Sequence, residues 1–168
     1  HNMRREDEKT EFKKTTSELN EAMVSISSIL NKHQEGVLFF GLKNDGTPMK
    51  FQIKDTTIRD VSKKIFEAIK PQIYPKIITE EIDGIEVIRV DFCGEDRPYS
   101  AFGKYYIRTA DEDRELTPAE LRKIMISHEY DENWEDRLTT DSLEDIDEGS
   151  LRRFYEQAIG CGRLPKFE

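Results

Sequence analysis

Two short stretches carry the residue types that a nucleic-acid surface requires, namely cations for phosphates and aromatic rings for unpaired bases. One is the β-prone run 104–109, in which alternation places Tyr106 and Arg108 on the same face, behind Lys104. The other is Lys13-Lys14, near the start of the chain. These five residues would form one positive patch if the two stretches are neighbours in the fold. Taken singly, each lysine or arginine is better explained as ordinary charged surface, and Tyr106 as half-buried core.

Helices that would position these stretches are indicated by hydrophobic spacing. Thr15 and Glu18 form a capping box, which predicts a helix start. The helix that follows has a single apolar stripe and should end near His33: Leu19, Ala22, Met23, Ile26, Ile29 and Leu30. A second stripe predicts a second helix: Ile58, Val61, Ile65, Ala68 and Ile69. A third helix is predicted from the run Thr117-Pro118-Ala119-Glu120, which supplies an N-cap, a first-turn proline and a capping-box glutamate.

Strands are indicated by apolar runs between turn residues. Residues 36–42 are continuously apolar, so we expect a central strand with both faces covered. The turn at 44–46 predicts that residues 49–53 return as its partner strand. Asp83-Gly84 joins two further strand-like runs, 77–82 and 85–92, as a hairpin.

Three motifs, taken in order, resemble a known family. Glu6 stands five residues before Glu11-Phe12-Lys13, the run 36–42 is followed by Asp45-Gly46-Thr47, and residues 97–120 read RPYSAFGKYYIRTADEDRELTPAE. The pattern resembles the Schlafen-type AlbA-like DNA-binding domain, also called the divergent AAA family, over residues 6–127. The chain departs from that pattern at Glu35-Gly36, where a paired glycine is usual, and at Lys43, where many members have aspartate. The resemblance implies a domain of a prokaryotic transcriptional regulator.

The same resemblance raises a nuclease alternative, because eukaryotic relatives include ribonucleases with three active-site carboxylates. By matching motif positions, Glu6 and Glu11 would be two of these. Lys43 falls at the third position, and Asp45 is an imperfect substitute two residues later. Three converging carboxylates bind Mg²⁺ or Mn²⁺, so we expect such a cofactor only under this alternative. Because Lys43 cannot ligate a metal, we expect no catalysis and no cofactor.

Charge is unevenly distributed along the chain. Of a formal net charge of −9, residues 128–168 contribute −7 with 12 acidic and 5 basic residues, and residues 1–127 contribute −2. A local positive patch, rather than the total charge, decides phosphate binding. We therefore expect a near-neutral domain at 1–127. An acidic connector and helix at 128–168 would lead to a further domain.

The sequence predicts a cytoplasmic location, because it shows no membrane span and no signal peptide. The apolar runs are only a few residues long and the N-terminus is charged, so neither a membrane span nor a signal peptide is predicted. Cys93 and Cys161 lack metal-ligand spacing, which predicts two free thiols in a reducing cytoplasm.

The predicted fold is α+β, a mixed and mostly antiparallel sheet of about five or six strands, packed by two or three helices. The expected function is nucleic-acid binding directed at phosphates, with DNA as the ligand, RNA as an alternative ligand, and homo-oligomerisation in the full-length protein. Two other function classes stay open. One is a metal-dependent nuclease, and the other is a protein-interaction or oligomerisation module, which the acidic balance and the C-terminal helix would suit.

Overall fold

The computed structural model describes residues 5–127. Eight strands lie within them: β1 Thr10–Lys13, β2 Glu35–Phe40, β3 Ile69–Lys70, β4 Lys76–Ile82, β5 Ile85–Cys93, β6 Ser100–Ala101, β7 Lys104–Thr109 and β8 Glu112–Glu115. The helices are α1 (Leu19–His33), preceded by a 3-10 turn at Thr16–Glu18, α2 (Thr57–Ala68) and α3, the helical residues 118–127. The predicted acidic connector and helix at 128–168 lie outside the described residues.

The strands are divided between two sheets rather than gathered into one. Their orders are β1-β2-β5-β4 and β3-β6-β7-β8. Only the β1–β2 pairing is parallel among the described strands, and all the others are antiparallel. The α+β prediction with a mixed, mostly antiparallel arrangement is therefore confirmed. Because α1 packs against strands of both sheets, it lies at the centre of the fold.

Strand β2 is the central strand that its apolar run predicts. It pairs with β1 on one side and with β5 on the other. Leu38 and Phe40 point into the main core, which α1 and α2 share. Phe39 points to the opposite face, where its ring meets Phe12 edge-on at 6.0 Å between centroids. Both faces of the strand are therefore buried, as its lack of polar alternation requires.

The turn predicted at Asp83-Gly84 and the capping box predicted at Thr117 and Glu120 are confirmed. Asp83 and Gly84 adopt positive φ values of 51° and 78°, which match the twist of the β4–β5 hairpin. Thr117 and Glu120 form a reciprocal capping box: Thr117 N donates to Glu120 Oε1 at 3.1 Å, and Glu120 N donates to Thr117 Oγ1 at 3.2 Å.

Other expectations are wrong. Residues 49–53 form no strand, because the ladder stops after a single bridge between Leu42 and Pro48. Cys93 is disulfide-bonded, so it is not the predicted free thiol. Within residues 5–127, no helix is long and apolar enough to cross a membrane.

Candidate functional site

Arg108, predicted to contact phosphate, is fully buried on the inner face of β7. Its Nη1 donates to Glu11 Oε2 at 2.7 Å and to Asp113 Oδ1 at 2.8 Å. Its Nη2 donates to the backbone carbonyls of Asp7 at 3.0 Å and Thr10 at 3.2 Å. The prediction that Arg108 belongs to an exposed patch is therefore wrong. Its side chain is buried and forms ion pairs with two carboxylates inside the domain.

The charge state of Arg108 is fixed by these neighbours. Burial alone would lower the pKa of the guanidinium, but the hydrogen bonds and charges of Asp113 and Glu11 outweigh burial and raise it. The cation is thus permanent. It ties β7 to the backbone before and within β1, so the two predicted stretches are indeed neighbours. What joins them is a buried ion-pair cluster and not a positive surface.

Two serines of α1 complete this cluster. Ser25 and Ser28 are three residues apart, so both lie on the helix face that meets β7 and β8. The Ser25 hydroxyl lies 2.6 Å from Asp113 Oδ2 and 3.2 Å from Glu11 Oε2. The Ser28 hydroxyl also bonds Asp113. The carboxylates are thus satisfied by protein groups, as burial of a charge demands.

The carboxyl groups of Glu6 and Glu11 influence each other's pKa beside Arg108. Burial and a hydrogen bond with Glu11 raise the pKa of Glu6 to about 7. Burial also acts to raise the pKa of Glu11, but hydrogen bonds from Glu6 and Arg108 outweigh it, and that pKa lies below its ordinary value. Near neutral pH Glu6 is therefore only partly ionised, whereas the Glu11 carboxylate beside it keeps its negative charge. Glu6 also accepts from Phe12 N at 3.0 Å.

This donor set does not suit a divalent metal. The Glu11 carboxylate already has Arg108 as a charge partner, and Lys13 Nζ lies 4.0 Å from its other oxygen. Asp45 sits in an exposed turn, where its Oδ1 accepts from Thr47 N at 2.9 Å and from Thr47 Oγ1 at 2.6 Å. Those two bonds lower the pKa of Asp45. No group of three or more His, Cys, Asp or Glu side chains in residues 5–127 is arranged to hold a metal ion.

The other predicted nucleic-acid contacts are split by the fold. The Lys13 side chain is only 14% exposed and faces Glu11, so it is not a free surface cation. Tyr106 is half-buried and packs against the main core. Lys14 and Lys104 are exposed and have no ion-pair partner within the described residues. Only these two of the five predicted residues are available to phosphate in this fold.

Asn31 was missed by sequence reasoning. Its Nδ2 donates to the backbone carbonyls of Tyr99 at 2.9 Å and Tyr106 at 2.7 Å, and its Oδ1 accepts from Tyr99 N at 2.6 Å. One buried amide thus fixes α1 to both β7 and the chain entering β6. Asn31, like Ser25 and Ser28, is a polar residue at a buried position of α1, and that irregularity in the apolar stripe was the available signal.

A basic surface around the C-terminal half of α2 was also missed as a unit. Residues 54–76 hold six basic and three acidic residues, a net charge of +3. The β6–β7 hairpin is attached to the end of α2, since Phe102 N donates to Ala68 O at 3.0 Å. Strand β6 lies between β3 and β7 in the sheet, so Lys104 at the start of β7 is two strands away from Lys70 on β3. We call this basic surface the α2 surface, and its lysines are Lys63, Lys64, Lys70 and Lys104.

A family model described as Schlafen, AlbA_2 matches residues 6–117 of the chain. This span contains the ion-pair cluster and the α2 surface. Among curated proteins, none matches the chain.

The fold is shared with a solved structure of another protein. The crystal structure of the DIP2311 protein from Corynebacterium diphtheriae matches with a TM-score of 0.57 at 14% identity, covering 72% of this chain and 24% of that one. The chain thus spans about a quarter of the length of that protein. The solution structure of the N-terminal domain of a RecG-related protein from Nitrosomonas europaea has a TM-score of 0.45 at 16% identity, covering 65% of this chain and 82% of that one.

Proposed function

Because the chain belongs to the Schlafen AlbA_2 family, we propose that it is a nucleic-acid-binding module of a transcriptional regulator, with DNA as its ligand. The observation that carries this proposal is the α2 surface. It concentrates positive charge on one region of a chain whose formal net charge is −9. RNA has the same phosphate chemistry and is the alternative ligand.

The lysines of this surface are placed to contact phosphate. Lys63, Lys70 and Lys104 are exposed, and Lys64 is half-buried. Within the described residues only Lys63 has an ion-pair partner, Glu67 at 4.0 Å, and an exposed i,i+4 pair of this kind is weak. Each lysine–phosphate contact releases condensed counterions, which gives a log–log salt slope of about −0.9 per contact on duplex DNA.

Affinity of a single copy should be low. Three or four phosphate contacts supply only weak, sequence-independent binding. Several copies held together would act at high effective concentration and raise the affinity without new contacts. We therefore propose that the full-length protein is a homo-oligomer and uses several α2 surfaces at once.

No catalytic role is proposed for Glu6, Glu11 or Asp45. The first two are engaged with Arg108 and with each other, and Asp45 lies in a separate exposed turn. The third carboxylate position of the nuclease pattern is Lys43. Their arrangement supports a structural role, in which the cluster joins β1, α1, β7 and β8.

Fluorescence anisotropy with labelled nucleic acid tests the proposal. Wild type should bind, and its affinity should fall as salt rises. The variant Lys64→Gln with Lys70→Gln should bind more weakly to every sequence and flatten the salt slope by about two units, one for each lost phosphate contact. Lys123→Gln on α3, which removes a charge elsewhere, is the matched control. No binding by wild type at low salt, to duplex, single strand or RNA, would contradict the proposal.

A further inference from the structure

Large exposed side chains of the described residues gather at the junction of α2 and β3. Five large hydrophobic residues are exposed within residues 5–127, and two of these, Met125 and Ile126, lie on α3. The other three are Phe66 at 53%, Tyr74 at 54% and Phe102 at 48% exposure. Phe66 lies in the last turn of α2, and Phe102 is bonded through its backbone to the end of the same helix. Both rings therefore lie at the C-terminal end of α2. Residues two apart on a helix point in different directions, so Phe66 and the Phe102–Lys64 pair lie on different sides of α2.

Phe102 occupies a position that does not suit it. It is the first residue of the two-residue turn between β6 and β7, with φ of +53°, and Gly103 follows with φ of +79°. Such turns favour asparagine, aspartate or glycine, because a bulky side chain at positive φ is strained. Residues held in strained conformations cluster at binding sites. At Phe102 a strained backbone carries an exposed aromatic ring, so packing of that ring in the core does not offset the strain.

Each ring is accompanied by a lysine. Lys64 Nζ lies 5.3 Å from the centroid of the Phe102 ring, and Lys70 Nζ lies 4.9 Å from the centroid of the Phe66 ring. Lys70 also donates to Phe66 O at 2.9 Å, which holds its side chain beside the ring. The nearest acids are few: Glu67 pairs with Lys63, and Glu21 lines a shallow depression together with Phe102. The surface thus pairs each exposed aromatic ring with a cation.

Alternating aromatic rings and cations match the chemistry of an unpaired strand. Bases stack on aromatic rings whatever their sequence, and lysines follow the phosphates. In a duplex the base faces are already stacked on each other, so exposed rings gain nothing from it. We propose that the two ring–lysine pairs, Phe102 with Lys64 and Phe66 with Lys70, are two stacking positions for one single-stranded nucleic acid that passes around the end of α2. This inference rests on the proposed nucleic-acid-binding function and specifies its ligand.

The test compares single-stranded and duplex probes on the full chain. The probes are a labelled oligothymidylate, the corresponding oligouridylate and a duplex of equal length, titrated by fluorescence anisotropy at one low salt concentration. The variant combines Phe66→Ala, a good helix former at an exposed helix position, with Phe102→Asn, which gives the Asn-Gly pair that the turn prefers. Ile126→Ala, which removes an exposed side chain from α3, is the matched control. Circular dichroism verifies that each variant is folded.

Wild type should bind the single strands more tightly than the duplex. Loss of one stacking ring weakens single-strand binding about 5- to 150-fold, so the double variant, which removes both rings, should lose at least that much. Duplex binding and the Ile126→Ala control should stay unchanged. Because oligothymidylate and oligouridylate offer the same stacking and phosphate contacts, tight binding of either one supports the inference, and their ratio distinguishes DNA from RNA.

Two results would overturn the inference and leave the proposed function standing: equal affinity for single strands and duplex, or single-strand binding that the double variant does not change. A third result concerns self-association. If sedimentation velocity shows that wild type is a dimer and the double variant is a monomer with unchanged oligonucleotide binding, the rings form an interface between copies instead. Absence of binding to all three probes would instead refute the proposed function, and the inference with it.

Discussion

Replacing Arg108 by methionine should be among the most destabilising single substitutions in the domain. Methionine approximates the length and volume of the arginine stem but carries no charge. The substitution leaves the carboxylates of Glu11 and Asp113 inside the fold without their cation, and it removes both Nη2 bonds to the backbone before and within β1. Breaking a buried ion pair by deleting one partner costs about 3–5 kcal/mol.

The magnitude can be compared with a second arginine in the same domain. Arg89 donates to Asp91 at 2.9 Å, but its side chain is 35% exposed. Exposed pairs contribute only about 0–1 kcal/mol. Urea unfolding at neutral pH should therefore show a cost for Arg108→Met several times that for Arg89→Met. Adding Glu11→Gln to Arg108→Met should recover part of the loss, because it removes one of the stranded charges.

The cost of Arg108→Met should also depend on pH. The folded-state pKa of Glu11 is depressed, so its stabilising contribution is present above its ordinary pKa of 4.5 and is lost as pH falls below that value. In the variant, protonation of Glu11 relieves the buried charge instead. The difference in unfolding free energy between wild type and variant should narrow between pH 7 and about pH 4. A cost equal to that of Arg89→Met, or a gap that does not change with pH, would refute this role for the cluster.

Three further predictions concern stability and use the same unfolding assay. Glu6→Gln should be more stable than wild type at pH 8, and the difference should be smaller at pH 5. The Glu6 pKa is raised from 4.5 to about 7, so ionisation of Glu6 opposes folding of the wild type across that window. Partial exposure limits the gain to about 1 kcal/mol, and an equal gain at both pH values would contradict the prediction. Phe39→Ala should cost about 3–5 kcal/mol, since Phe39 is buried on the second face of β2; a cost below about 1 kcal/mol would show that this face is not packed. Phe102→Asn should leave the unfolding free energy within about 1 kcal/mol of wild type, because relief of backbone strain offsets lost contacts; a loss typical of a core phenylalanine would contradict it.

Local elements were predictable because their causes lie within a few residues. The stripe of α1, the turn at Asp83-Gly84 and the capping box at Thr117 and Glu120 each depend on spacing in one short segment, and each is found as predicted. The central position of β2 was also predictable, because a strand without polar alternation must be covered on both faces.

Residues that act through tertiary contacts were not predictable in the same way. Alternation correctly places Arg108 and Tyr106 on the same face of β7, but nothing local shows that this face points inward. The direction is set by Glu11 and Asp113, which lie 97 and 5 residues from Arg108 in the chain. The run 49–53 has strand-like residues, but both edges of β2 are already paired, with β1 and with β5, so β2 leaves this run no edge to pair with. Phe102 was overlooked because the sequence does not reveal its positive φ.

The most direct test of nucleic-acid binding at the α2 surface is residue-by-residue mapping by NMR. An ¹⁵N-labelled chain is titrated with an oligothymidylate, and amide shifts are followed to saturation. We expect the largest changes at Phe66, Lys70, Phe102 and Gly103, with little change at Arg108. Shifts concentrated around Glu11 and Lys14 instead, with the α2 surface unaffected, would contradict nucleic-acid binding at the α2 surface.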